Sequence, residues 1–200
     1  MESQDRRLPP ASSATAANDD EAERELLRRT AERDRDAFRA LYVTYHRRLA
    51  RFLVRMTRQY DVAEEIINDT MWVVWQKAGE FRGAARVSTW IMGIAYRRAL
   101  KTLRRASLQT RWVSCDAEVE LTDHGAAVDG AEHRQLVEQA LAQLPLEQRL
   151  VLELTFFLGH SCSEIAEIME CPVNTVKTRM FHARRKLRAA LPALGGADGG

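Results

Sequence analysis

Apolar residues in this chain recur at helical steps nearly throughout. Between Asp34 and Thr57, Phe38, Leu41, Tyr45, Leu49, Phe52 and Met56 follow one another at intervals of three and four. That spacing predicts a long helix with one buried stripe. From Asp61 to Ala78, Ala63, Ile66, Thr70 and Val73 form a second stripe, with Asp61 the expected N-cap. Glu64, Glu65, Asn68, Asp69 and Trp72 are left on its other faces. A large aromatic among acids on a polar face suits a protein contact, and equally a half-buried Trp among solvated acids. From Trp90 to about Arg105, Met92, Ala95, Ala99 and Leu103 face one way, and Ser88 or Thr89 is the expected cap.

The second half repeats this logic in shorter pieces. Ala131 to Leu144 carries Leu136, Val137, Ala140 and Leu144. Pro145 then interrupts, and Leu146 to Leu158 carries Leu150, Val151, Leu154 and Phe157 up to Gly159. The next stretch reads helix, tight turn, helix. Ile165, Ile168 and Met169 stripe the first helix, and Glu170-Cys171-Pro172 breaks it, since Pro cannot continue a helix but opens one well. The second runs from about Val173 to Ala190 with Val173, Val176, Met180, Ala183 and Leu187 inward. Asn174, Thr178, Phe181, His182 and Arg185 lie opposite, flanked by Lys177, Arg184 and Arg188 on one edge and Arg179 and Lys186 on the other. No strand pattern of useful length and no internal repeat occurs.

The fold class is therefore all-α: two small helical domains joined by a flexible acidic linker, the second with a helix-turn-helix. Residues 1–18, rich in Ser, Ala and Pro, read as a disordered leader, followed by a short amphipathic helix from Asp19 to Ala31 carrying Leu26 and Leu27. The first domain spans 19–106, the linker 107–130, the second domain 131–191, and 192–200 a Gly-rich flexible tail. A linker of this composition permits a compact or an extended arrangement of the halves.

Charge sharpens the picture. The net charge is only +2, but it is segregated. Arg82 to Trp112 holds eight Arg or Lys and no acid, and Val113 to Glu138 holds seven acids and one Arg. Pro172 to Leu191 holds six Arg or Lys and no acid. Two basic surfaces separated by an acidic segment suit nucleic acid. The Phe81–Val87 segment, FRGAARV, is a Gly-containing basic loop. Beyond it, Arg97, Arg98, Lys101, Arg104 and Arg105 cluster on one side with Trp90 and Tyr96 interleaved. Charge that tracks a backbone and rings that stack on unpaired bases suit single-stranded or melting DNA. A solvated basic helix with core aromatics has the same periodicity. The final helix fits a major-groove reader, its polar face toward base edges and its basic flanks toward phosphates.

Other chemistry is thinly represented. Cys115, Cys162 and Cys171 are odd in number and lack CxxC spacing, which fits small buried thiols in a reducing compartment. His160, Cys162, Cys171 and His182 match no structural zinc pattern, so no metal or cofactor is expected. No apolar run approaches the length of a membrane span, and no signal core opens the chain. Glu64, Glu65 and Asp69 are the only close acid cluster near a basic segment, without a His at metal spacing, so a DNA-cleaving enzyme is disfavoured.

Three stretches together resemble the extracytoplasmic-function (ECF) sigma factors, small two-domain specificity subunits of bacterial RNA polymerase. AEEIINDTMWVVW at 63–75 is similar to their polymerase-clamp helix, and FRGAARVSTWIMGIAYRRALKTLRR at 81–105 to their promoter-melting segment. LPLEQRLVLELTFFLGHSCSEIAEIMECPVNTVKTRMFHARRKLR at 144–188 resembles their −35 domain. The resemblance covers about 22–191. It implies core RNA polymerase and promoter DNA as partners, an anti-sigma factor as a third, and a cytoplasmic protein, free or held at the membrane by that third partner, without catalysis or membrane insertion. Glu64, Glu65, Asn68, Asp69 and Trp72 would dock on polymerase. Phe81, Arg82, Arg86, Trp90, Tyr96, Arg97, Arg98, Lys101, Arg104 and Arg105 would bind and melt the −10 element, with Trp90 and its loop capturing a flipped base. Asn174, Thr175, Lys177, Thr178, Arg179, Phe181, His182 and Arg185 would meet the −35 element. The acidic linker resembles the family connector that threads the polymerase cleft. Arg97, Lys101 and Asn174 depart from the family's common Asn, Asp and Gly, so specific base preferences do not transfer. A conventional helix-turn-helix regulator, acting without replacing the sigma factor, is the alternative. A purely protein-binding adaptor is disfavoured by two basic faces.

Overall fold

In the computed structural model the backbone is described for residues 13–109 and 139–195, and side chains for 19–106 and 139–190. The described residues form helices and turns without a strand. The first half comprises α1 (Ser13–Ala31), α2 (Arg35–Thr57), α3 (Tyr60–Lys77) and α4 (Val87–Gln109), with a 3₁₀ turn at Ala78–Glu80. The second comprises a helical turn at 139–142, α5 (Leu146–Leu152), α6 (Cys162–Met169) and α7 (Val173–Gly195).

The hydrophobic stripes are where the core is. Leu41, Tyr45, Leu49 and Phe52 of α2 are buried against Ile67 and Met71 of α3 and Ile91 and Met92 of α4. Burial of such side chains contributes roughly 1.5–3 kcal/mol each. Asp34 caps α2, its Oδ1 accepting from the Asp36 and Ala37 amides at 2.9 and 3.1 Å. Arg58 ends the helix in the left-handed region at φ 57°, its N–H returning to Val54 O. α1 is fastened by a polar joint: buried Glu23 accepts from the Tyr45 hydroxyl and, at 2.9 Å, from Arg48 Nη1. Burial together with this carboxylate pushes the Tyr45 phenol pKa up.

The helix-turn-helix forms as its residues dictate. Ser161 and Glu164 build a reciprocal capping box at the start of α6, Ser161 Oγ accepting from the Glu164 amide and Glu164 Oε2 from the Ser161 amide. Glu170 turns the chain at φ 51°, and Pro172 leads into α7. Ile165, Ile168, Val176, Met180 and Ala183 are buried.

Several boundaries differ from expectation. α1 starts at Ser13, inside the segment read as leader, while residues 1–12 lie outside the described part. α3 starts at Tyr60 rather than on an Asp61 cap, and Gln59 supplies no side-chain cap bond. α4 starts at Val87, which places Ser88 and Thr89 within the helix instead of capping it. Its first amide is capped from another helix: Val87 N–H donates to Asp20 Oδ1 at 3.1 Å. α4 runs to Gln109, past the expected domain edge at 106, and most of the linker, 110–130, lies outside the described residues. The Leu146–Leu158 helix is α only to Leu152 and widens into a π turn at Glu153–Phe157. Such a turn re-aims side chains: Leu154 stays buried, whereas Phe157, expected inside, is 40% exposed beneath the Arg51 guanidinium. Val173 is also exposed, one turn too early to be covered. α7 continues through Pro192 to Gly195 rather than ending near Ala190. Cys162 and Cys171, expected buried, are half-buried.

The halves are closed on one another. α4 packs along α6, and one continuous apolar cluster joins Ile91, Ile94 and Ala95 with Ile165, Ile168 and Met169. Arg55 of α2 pairs with Glu153 of the π turn, both inside. Arg149 Nη2 donates to Arg55 O at 2.8 Å.

Candidate polymerase and promoter interfaces

Three surfaces follow from this scaffold. On α3 the apolar stripe turns Glu65, Asn68, Asp69 and Trp72 outward, Trp72 being 58% exposed. Glu64 is half-buried, with its Oε2 3.1 Å from His46 Nε2. The Tyr42 hydroxyl donates to Asn68 Oδ1 at 3.2 Å, and Arg98 Nη1 to Asp69 Oδ2 at 2.8 Å. The five residues thus share one face. Its rim of Tyr42, His46 and Tyr60 was missed by sequence reasoning. The signal was available: Tyr42 and His46 lie four apart on α2, beside the core stripe rather than on it.

The second surface is the 81–86 loop and α4. Phe81 and Trp90 are half-buried ring neighbours with centroids 5.4 Å apart. Arg82 is exposed. Arg97, Lys101, Arg104 and Arg105 line an open cavity of about 290 Å³ with Leu100 and Glu170. Several of these cations face acids of the second half: Arg97 Nη1 donates to Glu170 Oε1 at 3.1 Å, and Arg86 Nη1 lies 3.5 Å from Glu164 Oε1. Arg98 turns instead to Asp69, joining the basic helix to the α3 face. Tyr96 does not line the basic face. It is 6% exposed, with Glu147 and Cys171 of the second half nearby, and burial raises its phenol pKa. In the closed chain it is out of reach of a base.

The third surface is α7. Asn174, Lys177, Thr178, Phe181 and Arg185 are exposed, with Thr175 and His182 half-buried at the margin. Phe181 is 61% exposed, on the polar face of the helix and away from its buried stripe of Val176, Met180 and Ala183. The Arg185 guanidinium lies 5.9 Å from the Phe181 ring centroid, and His182 meets the same ring edge-on at 5.5 Å. Thr178 Oγ1 donates to Asn174 O at 2.9 Å. Arg179 stands apart: it pairs with Glu147 of α5 and lies 3.6 Å from Cys171 Sγ, so it braces the helix-turn-helix from behind.

Among the described residues no group of three or more His, Cys, Asp or Glu is placed to hold a metal ion, and no helix is long and apolar enough to cross a membrane. What the arrangement offers is an acidic-aromatic face, a basic loop with paired rings, and a basic helix with an exposed polar face on one chain.

The sigma-70 region 2 family model matches residues 41–109, and the sigma-70 region 4 model matches 134–187. The RNA polymerase sigma-H factor of Pseudomonas aeruginosa is 30% identical over 185 residues, covering 87% of this chain and 96% of that protein. The ECF RNA polymerase sigma factor SigM of Mycobacterium tuberculosis is 32% identical over 167 residues, 84% of this chain and 83% of that one. Among solved structures, the sigma factor RpoE of Bartonella quintana, crystallised with the anti-sigma factor NepR, superposes with TM-score 0.65 at 22% identity over 81% of this chain and 98% of that one. A helical, two-part transcription-initiation subunit is the class these features define. The chain belongs to the extracytoplasmic-function sigma factors of the sigma-70 family.

Proposed function

We propose that this chain docks on core RNA polymerase through the α3 face around Trp72, opens the −10 element with the 81–90 loop and α4, and reads the −35 element with α7. The division of labour follows the domains: 19–106 for polymerase and −10, 131–191 for −35. The observation that carries the reading is the presence on one chain of all three surfaces, the α3 face and the polar face of α7 exposed and the α4 face partly covered by acids of the second half. An anti-sigma partner is part of the proposal, since the RpoE of Bartonella quintana is held by one. A cytoplasmic site of action without catalysis follows from the role. Promoter engagement would displace the second half from α4, exchanging Glu164 and Glu170 for phosphates and uncovering Tyr96.

Run-off transcription with purified core polymerase on a pooled genomic promoter library, with and without the protein, tests this. New start sites that share two spaced upstream elements are the expected result. Polymerase binding absent altogether would favour a conventional regulator.

Two substitutions check the surfaces separately. Trp90→Ala should leave closed complexes intact and impair opening, because stacking is worth about 1–3 kcal/mol per base and unpairing costs a few. Permanganate reactivity of the −10 thymines reads this, and unimpaired opening would remove Trp90 from the role. Lys177→Ala should weaken −35 binding, by about 1–3 kcal/mol at one position if it meets a base edge. If it meets a phosphate, all sequences weaken alike and the salt slope falls by about one contact. A filter-binding salt titration over point-mutated −35 elements separates these outcomes.

A further inference from the structure

The 81–86 loop lies outside both regular helices, and something else must fix its shape. Two residues of α1 do so. Asp20 Oδ1 accepts the Val87 N–H at 3.1 Å, where α4 begins without a cap of its own, and Asp20 Oδ2 accepts from Arg24 Nε at 2.7 Å. Arg24, thus oriented, sends Nη2 to Ala85 O at 3.0 Å and Nη1 to Gly83 O at 3.4 Å. The same guanidinium lies 5.5 Å from the centroid of Phe81, the ring beside Trp90. Gly83 fits the grip in two ways. It sits at φ +71°, and a Cβ there would come within 2.9 Å of Arg24 Nη1.

We infer that Asp20 and Arg24 are positioning residues for promoter opening: from α1 they clasp the 81–87 loop in the shape that presents Phe81 and Trp90 to the melted strand. The inference rests on reading that loop as the −10 element's binding site. The planar fork suits the task, since its donors are fixed relative to one another and reach two carbonyls while one edge faces the carboxylate. A lysine keeps the charge but not this geometry.

The test uses the full chain with core polymerase on promoters recovered by the run-off experiment, both as duplex and premelted over the −10 element. Arg24→Lys and Arg24→Ala should each lower opening at least tenfold, retain core affinity within twofold, and keep the defect on the premelted template. A captured strand needs the loop in place even when unpairing is free. Gly83→Ala, on an exposed loop that cannot unfold α1, should reproduce the defect. In the Arg24→Ala background its added effect should shrink to the cost of the left-handed φ alone. Should Arg24→Ala lose core binding, the Gly83→Ala and Arg24→Lys results decide. Normal opening in these variants, with Trp90→Ala impaired, overturns the clasp and leaves the loop's role standing. Normal opening in Trp90→Ala as well overturns the reading beneath it.

Discussion

Replacing Arg55 with Ala should weaken the closed arrangement of the halves by about 3–5 kcal/mol, the usual cost of stranding one member of a buried ion pair. The side chains of Arg55 and Glu153 are 12% and 2% exposed. Burial pushes the Glu153 carboxyl pKa up, and the adjacent Arg55 guanidinium works against that shift. Without Arg55 the carboxylate loses its hydrogen-bonded partner in a place water does not reach, and only the charges of Arg51 and Arg149 still favour its ionised form. The chain has one escape. Arg55 belongs to α2 and Glu153 to the second half, so separating the halves returns Glu153 to water. The expected result is therefore an increased radius of gyration in small-angle scattering with helical circular dichroism retained. The double variant Arg55→Met/Glu153→Leu should close again, because well-packed apolar replacements of a buried pair are commonly neutral or stabilising. Unchanged scattering and an unchanged denaturation midpoint in Arg55→Ala would mean that the pair contributes nothing to closure. The loosened variant should also bind single-stranded −10 DNA more tightly than the parent, since opening uncovers Tyr96 and frees Arg97 from Glu170.

What the sequence disclosed and what it withheld divide along a physical line. Leu41, Tyr45, Leu49 and Phe52 are buried as their spacing requires, and Asn174, Lys177, Thr178, Phe181 and Arg185 are exposed for the same reason. A local period reports which face of one helix is covered. It does not report what covers it. Tyr96 was grouped with the basic face of α4 and is buried because α6 and its flanking turn lie over it. The capping of α4 by Asp20 joins residues 67 apart, which no window of the sequence contains. Some long-range polar joints did leave a trace. Glu153 interrupts the apolar run LVLELTFFLG, where a carboxylate makes sense only with a partner. Glu23, Leu27 and Thr30 share one buried stripe of α1, a spacing present in the sequence that sequence reasoning did not use. A charged residue on an apolar stripe was thus the readable sign of contacts between elements.

Buried His160, in the turn that leads into α6, should make the closed fold sensitive to acid. It is 5% exposed, and its Nδ1 has no hydrogen-bond partner among the described residues. Burial lowers its pKa from 6.5 to about 4. Glu164 pulls the other way, and Arg86 and Arg48 add to the lowering. The unfolded chain therefore binds the proton between about pH 6.5 and pH 4 while the folded one does not. The stability contributed by neutral His160 is complete above about pH 6.5 and is lost as pH falls toward 4, amounting to about 3 kcal/mol. Two neighbouring groups act in or near the same range. Glu153, raised by burial, gains stability on protonation and offsets part of the loss. Glu164, which burial raises but its bonds to Ser161 lower by more, begins to lose stability as pH falls into the ordinary carboxylate range. The difference between the parent and His160→Leu isolates the imidazole. At pH 7 this variant should be as stable as the parent or more so, since it removes an unpartnered buried nitrogen. By pH 4 the parent should have lost about 3 kcal/mol more than the variant in urea denaturation. Parallel curves would show that His160 takes up its proton in the folded chain as readily as in the unfolded one, which requires water to reach the seam between α4 and α6.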